Sequence, residues 1–269
     1  MMLQPISASD LAIASVLVMI NAVISIGLGL QLHKPVLWAA VRMVVQLLLV
    51  GLLLRHVLEL RSPLATSLVI LAMILAAARE VAVRPKWRLK GWKSYGISTA
   101  MVSATSIATV LLALLTAIRP SPWYDAHYAV PLMGIVLGSV LNSASLGLDI
   151  FFSGVTSSRN VVEGRLALGA TRYEALAPHM RNAIRSGLIP VINQMSAAGI
   201  ITLPGIMSGQ ILAGVDAVNA AKYQILLMFI LAGASGLAAT GSIYLAANAI
   251  TDERHRLRCD RLENKKNGA

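Results

Sequence analysis

The sequence predicts an all-α, polytopic membrane protein with about seven transmembrane helices, its N-terminus outside and its C-terminus in the cytoplasm. Three observations carry that expectation: the composition, a run of long uncharged stretches, and a lopsided distribution of Lys and Arg. Of 269 residues, 57% are hydrophobic and 13% charged, and the mean hydropathy is +0.71. Soluble globular domains are seldom so apolar. A helix that crosses the bilayer core needs about 20 mostly apolar residues. Seven stretches approach or exceed that length: Leu11–Leu32, Pro35–Leu54, Ser62–Ala78, Ser94–Ile118, Tyr128–Leu148, Ser186–Val215 and Tyr223–Thr251.

The first stretch is expected to be a retained helix. Its flank, Met1–Asp10, carries no Lys or Arg, whereas a signal peptide needs a basic start and a shorter apolar core. The second stretch contains Arg42, and the third is short. When alternate loops are assigned to alternate sides, eighteen Lys and Arg residues fall on one side. They are Lys34, the cluster from Arg79 to Lys93, Arg159 to Arg185, and a tail from Arg254 to Lys266. Four fall on the other side: Arg55, Arg61, Arg119 and Lys222. The positive-inside rule makes the rich side cytoplasmic. The net charge of +11 is thereby explained as topology and a grip on anionic lipid headgroups. No nucleic-acid partner is required.

The chain reads as a single transmembrane domain over residues 1–269, in the plasma membrane (a bacterial inner membrane). In the cytoplasmic turn Arg84–Lys93, Trp87 and Trp92 are expected at headgroup level among the cations. In the external loop Arg119–His127, Pro120 and Pro122 stop the preceding helix, and Asp125 and His127 read as solvated residues. Residues 155–189 differ in character. Leu166, Tyr173, Leu176, Met180, Ile184 and Leu188 recur at mostly helical spacing, Gly169 interrupts them, and Thr171 with Glu174 forms a capping-box pattern. Pro178 should kink or shorten the second piece. The expectation is two short helices with a glycine turn between them, lying on the cytoplasmic surface as a docking segment or as an interfacial connector. A basic cytoplasmic tail follows from about residue 252 to 269. The lone Cys259 in it can form no internal disulfide.

Importer subunits of ABC transporters carry Glu-Ala-Ala, three residues and then Gly in their coupling loop. Here Glu163–Gly164–Arg165 is followed by three residues and Gly169, then Ala170–Thr171–Arg172. The two alanines are replaced, and Ile189–Pro190 comes later than in importers, so the likeness extends to docking as a class. Four further blocks lie in order along the chain: Arg42–Leu47, Asn142–Asp149, Leu168–Thr171 and Leu203–Gly214. Together they resemble the FetB family of ABC-type permeases, bacterial iron-export subunits related to plant aluminium-tolerance membrane subunits. The resemblance implies a soluble P-loop ATPase partner of the FetA kind, a homodimeric permease and iron as cargo; plant relatives have been linked to nucleotide sugar. It also implies that Glu163, Gly164, Gly169, Ala170, Thr171, Arg172, Tyr173 and Glu174 couple to the ATPase. The chain contains no Gly-x-x-x-x-Gly-Lys-Ser/Thr, so it is not itself an ATPase. ATP and Mg would be held by the partner, and this chain is expected to bind no cofactor.

Residues for a translocation pathway are sought among polar groups at hydrocarbon depth. Arg42 is the costliest, at about 2.5–3.5 kcal/mol near a helix centre, and Gln46 lies one turn further on. Asn142, Asn193, Gln194 and Gln210 each place an amide where it must face protein or water. Helix–helix hydrogen bonding is the alternative use for each. Pro204 and Gly205 should loosen the sixth helix as a hinge or a break. The pairs Gly134/Gly138 and Gly205/Gly209 suit close helix packing or a dimer seam. Glu80 and Asp149, at the cytoplasmic helix ends, are the carboxylates able to receive a hard cation such as ferrous iron. Two rival classes remain: a stand-alone ion-coupled carrier or channel, and a membrane enzyme. No mid-helix carboxylate supports the first, and no Ser–His–Asp pattern or paired carboxylates support the second.

Overall fold

A computed structural model describes residues 7–60, 62–252 and 254–264. Arg61, Lys265 and Lys266, which enter the charge asymmetry, lie outside the described residues, as do the side chains of Trp92 and Lys93. The chain is an all-α membrane protein. Among the described residues, six helices are long and apolar enough to cross a membrane. The chain divides into two compact units, Met1–Ser62 and Pro63–Ala269.

The first unit is a helical hairpin. α1 (Ala8–Gly27) starts on a capping box in which Ser7 and Asp10 satisfy each other's backbone N–H. The chain then turns through Gly29 and Gln31, both at positive φ, while the Leu32 N–H donates to Ser25 Oγ at 2.9 Å. α2 (His33–Leu60) follows. Leu47, Leu48, Leu52 and Leu53 are all exposed along it, and a helix apolar all round belongs in lipid or against other apolar helices.

The second unit contains α3 (Pro63–Val83), α4 (Trp92–Leu112), α5 (Ala126–Ser157), α6 (Arg159–Ala167), α7 (Arg172–Ala197), α8 (Gly205–Leu212) and α9 (Ala217–Ala249). Asp125 starts α5 by accepting from the His127 N–H at 2.9 Å. α5, α7 and α9 pack together at the centre, with α3 and α4 against α5. Their contact surfaces are built from small residues: Ala183, Ala234, Ala238, Ala239, Ala246 and Ala247 are fully buried. At Gly187 a Cβ would lie 2.8 Å from the Ser143 carbonyl oxygen and 3.3 Å from the Ala239 Cβ. Small residues allow such backbone-to-backbone approach, the usual basis of helix packing in lipid. The glycine pairs expected to supply it behave differently: a Cβ at Gly138, Gly205 or Gly209 would meet nothing within 4 Å.

Two expectations need correction. The stretch Ser186–Val215 is not one helix. It comprises the end of α7, a non-helical break at 198–204, and the eight-residue α8. Gly199 takes φ +84° in that break, and Pro204, which has no N–H to give, is the N-cap of α8. The segment 155–189 is not a pair of short surface helices either. α5 continues to Ser157, and from Arg172 the chain is a single 26-residue helix running through Pro178. Losing a backbone bond to an interior proline costs about 3 kcal/mol. Burying Leu176 and Met180, at 0% and 4% exposure, recovers about 1.5–3 kcal/mol each. The apolar stripe is therefore a core face rather than an interfacial one.

The tail folds back. Cys259–Arg261 forms a 3₁₀ turn, and β2 (Leu262–Asn264) pairs antiparallel with β1 (Trp87–Leu89), Leu89 opposite Leu262. Leu89, Leu257 and Leu262 are buried beneath this small ribbon. Arg88 Nε donates to Glu263 at 2.7 Å and the Lys90 N–H to the Arg261 carbonyl at 2.8 Å. Cys259 is half-buried, which pushes its thiol pKa up. Within this unit the 84–91 loop, α6 and the tail consequently share one strongly basic end.

Candidate functional site

Two features of the second unit stand out: an elbow at its basic end and a polar pocket between α5, α7 and α9. The elbow begins with α6, where Arg159 Nε reaches Glu163 at 2.7 Å. This i,i+4 pair is exposed to solvent and contributes little to stability. Gly164 lies exposed on the same short helix. Gly169 ends it at φ +91°, a left-handed conformation that glycine adopts without steric penalty. Leu168, beside it, is 90% exposed. Ala170 leads into Thr171, whose N–H and hydroxyl both donate to Glu174 Oε2 at 2.8 Å, while the Glu174 N–H returns to Thr171 Oγ1 at 3.4 Å. Those hydrogen bonds hold the Glu174 carboxyl below its ordinary pKa.

The elbow is tied to the rest of the unit at Arg172 and Tyr173. Arg172 Nη1 and the Tyr173 hydroxyl both donate to Asn248 Oδ1 on α9, at 3.3 and 2.9 Å. The Arg172 N–H donates to His255 Nδ1 at 3.2 Å, and the Tyr173 ring lies 5.8 Å from that of Tyr244. About four turns of α7, with Leu176, Met180 and Ala183 buried along them, then lead to Gly187, where α7 touches the backbone of α5. Leu168–Arg172 thus leads into a helix packed against α5 and α9. The brace on α5 is short: the Lys86 N–H donates to Asp149 Oδ1 at 2.6 Å, and α5 extends eight residues past Asp149, about 12 Å at 1.5 Å per residue.

The pocket holds about 310 Å³ and is lined by Ser139, Asn142 and Ser143 of α5, Pro190 and Gln194 of α7, and Ser235 of α9. Ser235 Oγ is buried with no hydrogen-bond partner. Arg84 Nη1 points to Asn142 Oδ1 at 3.4 Å. Pro190 has no N–H to pair with the carbonyl one turn earlier. Asn142, Pro190 and Gln194 are exposed, so the pocket is an open polar groove, whose polar groups must meet water, protein or a polar solute if they lie at hydrocarbon depth.

Of the pathway residues read from sequence, Asn142 and Gln194 share this pocket. Asn193 is exposed on the adjoining face of α7. Gln210 stands on α8, half-buried, its Oε1 without a partner. Arg42 and Gln46 belong to the first unit, half-buried and exposed respectively. Pro204 and Gly205 lie where the break meets α8. Glu80 pairs with Arg84 at 3.5 Å and Asp149 holds the 84–91 loop. Among the described residues no group of three His, Cys, Asp or Glu side chains is placed to hold a metal ion. Sequence reading missed Ser139, Ser143 and Ser235. The first two, one turn apart and flanking Asn142, were a visible polar stripe in an apolar helix. It also missed the outer face of α7, where Arg181, Asn182 and Arg185 are exposed.

Comparison with known proteins places these features in a lineage. Residues 8–250 match the model of an uncharacterised protein family, UPF0014. A UPF0014 membrane protein of Synechocystis is 39% identical over 224 residues, covering 80% of this chain and 84% of the relative. The probable iron export permease protein FetB of Escherichia coli is 30% identical over 260 residues, covering 97% and 98%. The rice UPF0014 membrane protein STAR2 is 30% identical over 244 residues, covering 91% and 81%. No solved structure matches the chain.

Proposed function

The chain belongs to the UPF0014 family of membrane proteins, and from that premise we propose that it is the membrane-spanning permease subunit of an ABC-type transporter. It acts as a homodimer in the plasma membrane, N-terminus outside, and takes its energy from ATP hydrolysed by a separate P-loop ATPase carrying ATP and Mg. The observation that carries this reading is the elbow. A glycine turn with an exposed leucine leads directly into a capped helix whose far half lines a polar pocket. Closure of the ATPase would push Leu168–Arg172. α7 would transmit the displacement through Gly187 to α5, opening the pocket at Asn142 and Gln194 to one side of the membrane and then to the other. The permease performs no chemistry itself.

Iron is the proposed cargo, moved outward, on the strength of the Escherichia coli relative's name. A second cargo class has an observation in its favour. Arg181 and Arg185 stand one turn apart on the open face of α7, and neither has a carboxylate partner among the described residues. Exposed arginines suit an anion, such as a nucleotide sugar, better than a bare ferrous ion.

The experiment is a mild-detergent pull-down of the tagged chain from its native membranes with mass spectrometry of the co-purifying proteins. It is followed by ATP-driven uptake of ferrous iron into inside-out proteoliposomes. A P-loop ATPase in near-equal amount and ATP-dependent iron accumulation are expected. Repeated absence of any ATPase, with transport continuing without ATP, would establish a stand-alone carrier instead.

A further inference from the structure

We propose that the tail closes a binding site for a phosphate-type anion at the basic end of the second unit. The site is a cavity of about 430 Å³ lined by Arg172 at the start of α7, Asn248 of α9, and Asp252, Arg254, Arg256 and Arg261 of the tail. Nothing in the permease reading requires it, and it stands independently of that reading.

The charge count carries the argument. Four guanidinium groups converge on the cavity, and among the described lining residues Asp252 is the one carboxylate. Asp252 is already engaged: its Oδ2 accepts from Arg256 Nε at 2.9 Å, and its Oδ1 accepts from the Arg254 and Arg256 N–H groups at 3.0 and 2.8 Å. Among the described lining residues, three positive charges have no matching carboxylate. Two of the arginines are held in place by contacts that leave most of their donors free. Arg261 Nη1 donates to the carbonyls of Ala249 and Thr251 at 2.8 and 3.4 Å, and Arg172 Nη1 to Asn248 Oδ1 at 3.3 Å. A guanidinium has five N–H donors, so each has several more to offer. Arg254 is exposed, with no acidic partner among the described residues.

Like charges gathered around a concave surface raise the local concentration of counter-anions. Guanidinium forks match the paired oxygens of phosphate in geometry as well as charge. A bound phosphate would join the tail, through Arg254, Arg256 and Arg261, to the first residue of α7, through Arg172. It would therefore stiffen the segment from which the elbow springs. The same chemistry is offered by the headgroup of an anionic phospholipid and by a soluble phosphate compound.

The test uses the whole purified chain in nanodiscs of phosphatidylcholine, titrated with inorganic pyrophosphate by calorimetry and thermal unfolding. It is repeated in discs containing phosphatidylglycerol. Expected in neutral discs is saturable binding that raises the unfolding midpoint. Arg254→Gln and Arg256→Gln should each weaken Kd at least tenfold, and Asp252→Asn should tighten it several-fold although it removes a native contact. Arg254→Gln alters an exposed side chain and leaves the fold intact. Tightening by Asp252→Asn is an outcome that a merely structural arginine cluster would not give. If phosphatidylglycerol raises the midpoint in wild-type but not in Arg254→Gln, and abolishes the pyrophosphate effect, the ligand is lipid. If pyrophosphate acts equally in both kinds of disc, the ligand is soluble. The proposal is overturned if neither pyrophosphate nor phosphatidylglycerol moves the wild-type midpoint, or if each acts equally on wild-type and on all three variants.

Discussion

Replacing Gly187 with alanine would place a methyl carbon 2.8 Å from the Ser143 carbonyl oxygen, 3.3 Å from the Ala239 Cβ and 3.6 Å from the Gly147 Cα. Two of those three neighbours are backbone atoms of α5, so no side chain can swing aside, and α5 and α7 must separate by several tenths of an ångström. Overpacking of this kind costs about 1–3 kcal/mol. Alanine also gains about 1 kcal/mol over glycine in helix propensity, which would mask part of the loss. Gly138→Ala is the control: it lies in α5, and a Cβ there meets nothing within 4 Å. The propensity gain is common to both variants, so their difference isolates the contact and should be about 1–3 kcal/mol. Equilibrium unfolding of the two purified variants in the same detergent measures it. Equal stabilities would refute the claim that α5 and α7 meet at backbone distance, and with it the route by which the elbow is connected to the pocket.

Three further outcomes are expected. Gly169→Pro forces φ near −65° where the chain needs +91°; the protein should still insert and bind its ATPase, but ATP hydrolysis should no longer drive transport in proteoliposomes. Leu262→Ala, at a side chain 6% exposed, should release the tail at a cost of about 2–5 kcal/mol. Glu263→Ala, breaking a partly exposed pair with Arg88, should cost about 0.2–1 kcal/mol, and protease sensitivity of the tail ranks the two. Acid should also loosen the tail. The Arg258 side chain's hydrogen bonds bring Asp260 from 3.8 to about 2, and the Arg256 N–H is the main cause of the lowered Asp252. Carboxyls held below their ordinary values stabilise the folded tail above about pH 4 and lose that contribution as pH falls towards 2. Hydrogen-exchange protection factors of residues 254–264, corrected for the intrinsic rate at each pH, should therefore fall across that window.

Six of the seven expected membrane helices were legible because length and apolarity are properties of single segments; Ser186–Val215 was equally apolar, and its break at 198–204 was not. The elbow was legible for the same reason: Gly169, Thr171 and Glu174 are neighbours in sequence, and a capping box is a local device. What periodicity could not decide was the partner of the α7 stripe. Leu176, Met180 and Ile184 form the same pattern whether they face lipid headgroups or other helices, and Pro178 argued for the wrong one. The tail was harder still. Leu257 and Leu262 are isolated in a run of charges, and their burial depends on β1, about 175 residues away. The pocket was half visible: amides at hydrocarbon depth drew attention to Asn142 and Gln194, but Ser235 acquires meaning only once α9 is packed against them. The arginine cavity follows the same rule, since its cations were counted as topology and only the fold brings Arg172 among those of the tail.

The central claim is that the elbow receives an ATPase. A photo-crosslinking amino acid placed at Leu168, 90% exposed at the tip of the turn, tests it directly when native membranes are irradiated and the products identified by mass spectrometry. The account predicts a dominant adduct with a P-loop ATPase, absent when the same probe replaces Leu212 at the far end of the unit. Adducts only with lipid, or identical products at both positions, would contradict it and leave residues 159–171 as a surface connector.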